Sequence, residues 1–288
     1  MPIDYDKLLA RPFPQIEQPY SARDTILYAL GIGVGADPLD EDQVRFAFEE
    51  AEGFAPLPTM PVVMAGPGFW VREPDTGVTW EQVLHGEQRL TLHNPMPSEG
   101  IAVGQTRIDG IVDKGEGKGA LIYVAREIHD KATGTHIATS VSTTFARADG
   151  GFGGPDGPTL PVSALPDRAP DMADEVTTVP QAALIYRLSG DTNPLHASPS
   201  VATQAGFPAP ILHGLCSYGI AGWSILRSCC GGDPAKLKQL DLRFSSPVFP
   251  GETLRTEIWR DGTDVSFRTS VVERDKVVLN NGYARIAP

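Results

Sequence analysis

Apolar and polar residues alternate with a period of two along 101–112, 120–129 and 134–145, and again along 253–259, 264–273 and 277–286. Alternation of that kind sends successive side chains to opposite faces, so each stretch reads as a half-buried β-strand. Asp261-Gly262, between two of them, marks a tight hairpin. Helical signals come before the strands in each half. Asp40-Glu41-Asp42-Gln43 predicts an acidic amphipathic helix with Asp40 as cap and Gln43 placed for a capping box. Ser198-Pro199 predicts an N-cap and first helical residue, with Gly206 ending that short helix. The stretch 212–226 is apolar nearly all round and is followed by Gly231-Gly232, which predicts a buried helix. A buried helix against a run of antiparallel strands, twice over, is an α+β arrangement. Two such halves could pair their sheets edge to edge and hide strands that would otherwise be exposed.

The halves also resemble each other. Tyr28-Ala29-Leu30-Gly31 is echoed by Tyr186-Arg187-Leu188-Ser189, Gly53-Phe54-Ala55-Pro56 by Gly206-Phe207-Pro208-Ala209, and Leu90-Thr91-Leu92 by Leu240-Asp241-Leu242. The three matches keep one order, at offsets of roughly 150 to 160 residues, which is the mark of a duplication. Between the copies lies Gly150-Gly151-Phe152-Gly153-Gly154-Pro155 and a further Pro-rich run, a composition that sustains neither a helix nor a central strand. The chain therefore divides into a first repeat, 1–149, a connector, 150–178, and a second repeat, 179–288.

Composition narrows the function. At 288 residues, 41% hydrophobic and 21% charged, the chain is an ordinary globular one. Its net charge of −12 disfavours nucleic-acid binding and means that an anionic ligand needs a local cluster of cations. Cys216, Cys229 and Cys230 supply neither a disulfide framework nor metal-ligand spacing, so a reduced, cytoplasmic setting without a metal site is expected. The N-terminus carries no secretory signal pattern, and no apolar run reaches the roughly 20 residues that a membrane span needs. Gly31-x-Gly33-x-Gly35 lacks the spacing of a dinucleotide loop. The four tryptophans, Trp70, Trp80, Trp223 and Trp259, read as core.

Candidate chemistry concentrates in Tyr186-Arg187-Leu188-Ser189-Gly190-Asp191-Thr192-Asn193-Pro194-Leu195-His196. Gly190 and Pro194 bend this segment, so that a carboxylate, an amide and an imidazole can converge. Taken alone it could equally be a turn whose Asp and Asn serve as caps. The first repeat, however, carries Gly33 where the second has Asp191, and it has no histidine to match His196. Asp191 and His196 could hold and activate a water, with Asn193 fixing it. The backbone N–H of Gly214, at the start of the buried helix, could receive a developing oxyanion. His213, just before it, reads as a helix-entry residue.

Tyr-x-Leu-Ser-Gly-Asp-x-Asn-Pro-Leu-His followed by Gly-Phe-x-x-Pro-Ile-Leu-His-Gly-Leu resembles the signature of the MaoC-like, or type 2 (R-specific), enoyl-CoA hydratases. Tyr28-Ala29-Leu30-Gly31, Leu84-His85-Gly86-Glu87-Gln88, Asp113-Lys114-Gly115, Gly151-Phe152-Gly153-Gly154 and Gln181-Ala182-Ala183 fall in family order, so the resemblance covers nearly the whole chain. It is similar to the hydratase 2 unit of peroxisomal multifunctional enzyme type 2. The resemblance implies a double hot dog, each repeat a long central helix wrapped by an antiparallel sheet, with catalysis in the second. It implies reversible syn hydration of a trans-2-enoyl-CoA to the (3R)-3-hydroxyacyl-CoA. Asp191 and His196 would be the catalytic pair, Asn193 an accessory, and Gly214 the oxyanion donor. His85, Gly86, Lys114 and Phe244 would contact substrate or CoA, with Lys118 and Arg243 either helping or serving as solvated surface charge. The first repeat would form the acyl tunnel. No cofactor is implied beyond the CoA of the substrate, nor any nucleic-acid or membrane partner, and a homodimer is possible. A hot dog acyl-CoA thioesterase and a non-catalytic acyl-thioester binder are the competing readings.

Overall fold

The structure, a computed structural model, describes residues 2–288. In chain order it contains α1 (Tyr5–Leu9), β1 (Ile16–Tyr20), α2 (Ala22–Gly31), α3 (Glu41–Val44), β2 (Val83–Leu92), β3 (Gly100–Asp113), β4 (Ala120–Asp130), β5 (His136–Ala146), β6 (Met172–Thr177), α4 (Ala182–Tyr186), α5 (Pro199–Gln204), α6 (Gly214–Cys230), β7 (Leu237–Phe244), β8 (Thr253–Asp261), β9 (Asp264–Val271) and β10 (Lys276–Ile286). All the strands join one sheet in the order β1-β3-β4-β5-β2-β7-β10-β9-β8-β6, antiparallel at every pairing.

That order is a palindrome of the duplication. Each half runs from an inner strand (β2 or β7) out to an edge strand (β1 or β6). Leu90 and Leu240, matched by the internal repeat, sit directly opposite each other where β2 meets β7. A pseudo-twofold axis passes between them, and the pairing hides one edge of each half. Equivalent Tyr28 and Tyr186 also meet, with ring centroids 5.9 Å apart, and Gly31 leaves room for the Tyr186 ring.

The structure departs from the expected organisation in three places. First, β6 lies inside the segment taken as connector and pairs residue by residue with β8, so the free connector ends before Met172. Second, the helix expected after Asp40 lasts one turn. Asp40 does cap it, accepting from the N–H groups of Asp42 (3.0 Å) and Gln43 (3.3 Å). Beyond it Glu49, Glu50 and Glu52 would have lain against the negative end of a longer helix dipole. Third, only the second half has a long central helix. α6 runs for 17 residues to Gly231, which adopts φ 61. At the matching place the first half has a single 3₁₀ turn, Met60–Val63. Ala65-Gly66-Pro67-Gly68 follows, and Pro67 drives the residue before it out of the helical region.

The single long helix therefore serves both halves. Gly222 of α6 lies so close to Thr59 and Leu240 that a Cβ there would come 2.4 Å from the Thr59 methyl. Tyr218 donates to the Leu240 carbonyl at 2.8 Å, and Tyr28 to the Thr59 hydroxyl at 3.0 Å. One apolar core spans the two halves, with Tyr28, Phe46, Leu90, Trp223, Leu240 and Phe267 all buried within it. A smaller cluster around Ile3, Trp70, Ile108 and Ile122 fills the outer end of the first sheet.

Candidate active site

The segment from Tyr186 to His196 is bent by its own local bonds. A 3₁₀ turn, Arg187–Ser189, ends at Gly190, whose φ of 126° is open to glycine and strained for other residues. Asp191 Oδ1 then accepts from the Asn193 N–H at 3.0 Å, and Asn193 Oδ1 from the Leu195 N–H at 3.1 Å. The second bond caps the turn Pro194–His196. Thus the cap reading is correct for Asn193, and its amide N–H₂ and the second lone pair of Oδ1 remain to touch a water. Asp191 and Asn193 are exposed, whereas His196 is buried.

His196 Nδ1 lies 2.9 Å from the Ile211 carbonyl, so that nitrogen carries the proton and donates it. Its Nε2 is left with a lone pair. Burial pushes the His196 pKa down, opposed by the bond to Ile211 and by the Asp191 charge, and the ring is neutral at pH 7.

His213 is closer to this chemistry than a helix-entry residue need be. Its ring stacks on His196 with centroids 3.8 Å apart, and its Nε2 lies 3.2 Å from the main-chain carbonyl of Asp191. A donor atom of each of Asp191, His196 and His213 lies within 4.8 Å of the others. Such a trio could also hold a metal ion. Spacing along the chain shows Asp191 and His196 together but conceals His213, which lies 17 residues beyond His196.

α6 starts beside this trio. His213 occupies its N-cap position without a side-chain cap bond. Cys216 and Ser217 bond back to the His213 carbonyl, and among the described residues the N–H groups of Gly214 and Leu215 meet no acceptor. They lie at the positive end of a buried helix. A Cβ at position 214 would come 3.2 Å from the Phe244 ring, so glycine lets that ring close against the helix start.

The remaining expected residues arrive from the sheet. The β2–β5 register slips between His85 and Glu87, making Gly86 a bulge. The slip turns His85 to the α6 side while Glu87 stays on the outer face. The His85 ring then lies 4.7 Å from Phe244, and its Nε2 is buried without a partner. Burial brings the His85 pKa down to about 4, against the pull of a Glu87 backbone bond and the Asp191 charge. Lys114 stands on the β3–β4 hairpin at this same end of the sheet, exposed, with Nζ 5.1 Å from the Phe145 ring. Phe145 pairs with Leu84, next to His85. Lys114 and Lys118 form no ion pair among the described residues.

Arg243 is the exception. Adjacent to Phe244 on a strand, it faces the other way, and its guanidinium is 3.0 Å from Glu87. It lines a polar groove of about 240 Å³ on the outer face, under Pro161–Ser163 of the connector and away from the histidines. Of the two roles open to Arg243, this position fits the solvated surface charge. The described helices include none long and apolar enough to cross a membrane.

Comparison with known proteins shows the family. A model for the MaoC like domain matches residues 161–282, and one for the MFE-2 hydratase 2 N-terminal domain matches residues 19–148. The chain is 40% identical to 3-hydroxyacyl-thioester dehydratase Y of Mycobacterium tuberculosis, over 98% of each chain. It is 38% identical to a peroxisomal enoyl-CoA hydratase 2 of Arabidopsis thaliana, over 98% of this chain and 94% of that one. A MaoC-like dehydratase from Phytophthora capsici superposes with a TM-score of 0.86 at 36% identity, covering 98% of each chain.

Proposed function

The chain belongs to the MaoC-like enoyl-CoA hydratase 2 family and is a hydro-lyase; on that premise we propose that it adds water to trans-2-enoyl-CoA on one face, giving the (3R)-3-hydroxyacyl-CoA. The observation that carries this reading is the meeting of Asp191, His196 and the unpaired Gly214 N–H at one helix end. A water between the Asp191 carboxylate and the free Nε2 of His196 gives up a proton to the pair as its oxygen bonds to the β-carbon. The α-carbon takes a proton back from the pair, so that H and OH add to the same face. Meanwhile the Gly214 N–H donates to the thioester oxygen, where charge gathers as the C=C bond is lost. Asp191 and His196 act as one acid–base unit.

His85 and Phe244 wall the reacting carbons, and Gly86 shapes the bulge that turns His85 inward. Lys114, with Lys118 near it, offers cationic charge to the phosphates of CoA on an otherwise acidic chain. The first half, lacking a central helix, takes the acyl tail. The reaction needs no cofactor besides the CoA carried by the substrate. Three buried, unpaired thiols favour a reducing, cytoplasmic setting.

The test uses crotonyl-CoA with two readouts, loss of enoyl absorbance and release of free thiol. Loss of absorbance without thiol is expected; thiol release with the enoyl group intact would make the protein a thioesterase. Asp191→Asn should lower kcat by roughly 10²- to 10⁴-fold, the scale of a general acid–base group, while acyl-CoA affinity holds. An Asp191→Asn enzyme of full activity would remove Asp191 from the mechanism.

A further inference from the structure

The N-cap residue of α6 does not do what N-cap residues do. Serine, threonine, aspartate and asparagine are favoured there because their side chains cap the first free N–H groups. His213 makes no such bond. Its Nε2–H reaches instead across the fold to the Asp191 carbonyl at 3.2 Å, and its Nδ1 is buried with no partner. The residue is 1% exposed, so both choices cost stability. A side chain selected for helix entry alone would have capped α6.

What His213 touches accounts for the cost. One face of its ring lies on His196, the interplanar angle being 27°. Tyr186 is tilted against it with centroids 5.2 Å apart. The charged and titratable groups facing it are Asp191, His196, Tyr186 and Arg187. Because it does not cap, the Leu215 N–H, which an N-cap side chain would take, stays open beside that of Gly214. An aspartate at this place would have closed the Leu215 N–H and set a negative charge beside a developing oxyanion.

We propose that His213 is a positioning residue of the hydratase site: its ring holds His196 upright so that Nδ1 keeps its bond to the Ile211 carbonyl, its N–H fixes the Asp191 main chain, and, by not capping, it places no anionic acceptor beside the Gly214 amide. The proposal rests on the hydration chemistry above for its kinetic consequence, but not for its structural one.

Two variants separate the parts. His213→Phe keeps an aromatic plane against His196 and deletes the bond to Asp191. His213→Gln keeps an N–H able to reach the Asp191 carbonyl and deletes the plane. Each is compared with wild type by thermal unfolding, by kcat and KM for crotonyl-CoA across pH, and by ¹⁵N resonances of the His196 ring. In His213→Phe, kcat should fall by about a hundredfold, the scale of a small misplacement of reacting groups, with KM within about twofold. In His213→Gln the His196 ring should lose its single tautomer, and the acidic limb of the rate profile should move to higher pH as water enters. Losses of kcat that only follow the folded fraction, or His196 resonances unchanged in both variants, would overturn the proposal. A wild-type protein inactive on crotonyl-CoA would instead count against the hydration chemistry, and the ¹⁵N comparison would still test His213.

Discussion

Position 214 allows the oxyanion donor to be removed with little else. Proline is tolerated at the first residue of a helix, where its missing N–H has no helical partner to lose. The residue before a proline must be extended, and His213 already is, at φ −60 and ψ 136. Gly214→Pro should therefore fold with α6 intact and lose roughly 10²- to 10³-fold in kcat, as expected for one oxyanion donor. Its ring also presses on Phe244, where a Cβ would stand at 3.2 Å. Gly214→Ala adds that same Cβ and keeps the N–H, so the ratio of the two kcat values isolates the amide. Equal losses would assign the effect to Phe244. Residues of this site differ in how plainly the chain displays them. Asp191, Asn193 and His196 are legible because local bonds alone gather them in one bent segment. His85 and Phe244 are brought in by a bulge and by strand pairing, so only resemblance could nominate them. His213 does stand at the entry to α6, and its contact with the Asp191 carbonyl is not legible because that carbonyl lies in another loop. Arg243 stays open between two roles in the sequence, and strand pairing decides for surface charge because neighbours on a strand face opposite ways.

At the scale of elements, the informative difference between the halves is what replaces the helix. After the turn at Met60–Val63, the chain leaves carbonyls that a longer helix would have bonded. Arg126 supplies the donors, with Nη2 2.7 Å from the Val62 carbonyl and 3.4 Å from that of Pro61. Burial alone moves the Arg126 pKa down to about 10, so the guanidinium stays charged while bracing the turn. The next stretch lies directly on the sheet: a Cβ on Gly104 of β3 would stand 2.1 Å from the Ala65 carbonyl oxygen. Gly104→Ala must push backbone away from backbone, and it should cost about 1–3 kcal/mol in urea unfolding. A neutral result would mean that residues 60–68 are not seated on β3 as described. Strands were legible where one face is apolar and the other polar, as in β3, β4, β8 and β9. β2 and β7 are not legible as strands: Gly86 interrupts the first, and their outer faces carry charges such as Glu87 and Arg243 that make sense only once the strands pair. Pro19 masked β1, and a proline is admissible there because β1 is an edge.

Across the whole molecule, a site built on buried neutral imidazoles predicts how the fold responds to acid. Burial brings His85 down to about 4, and burial with the neighbouring His196 does the same for His213. Both start from an ordinary value of 6.5, to which unfolding returns them. A folded pKa below the unfolded one means that the unfolded chain binds more protons between them. Stability from these groups is thus complete above pH 6.5 and is lost progressively as the pH falls towards about 4, by up to about 3 kcal/mol for His85. A net charge of −12 works in the opposite direction, since acid relieves its self-repulsion. Salt separates the two effects, because it screens surface repulsion far more than it alters buried imidazoles. Urea unfolding at high salt should show stability falling between pH 6.5 and 5, and His85→Gln should flatten that slope. Stability that holds or rises over this range at high salt would show that the imidazoles of the site are not held neutral by burial, and the free Nε2 of His196 on which the proposed water chemistry depends would lose its physical basis.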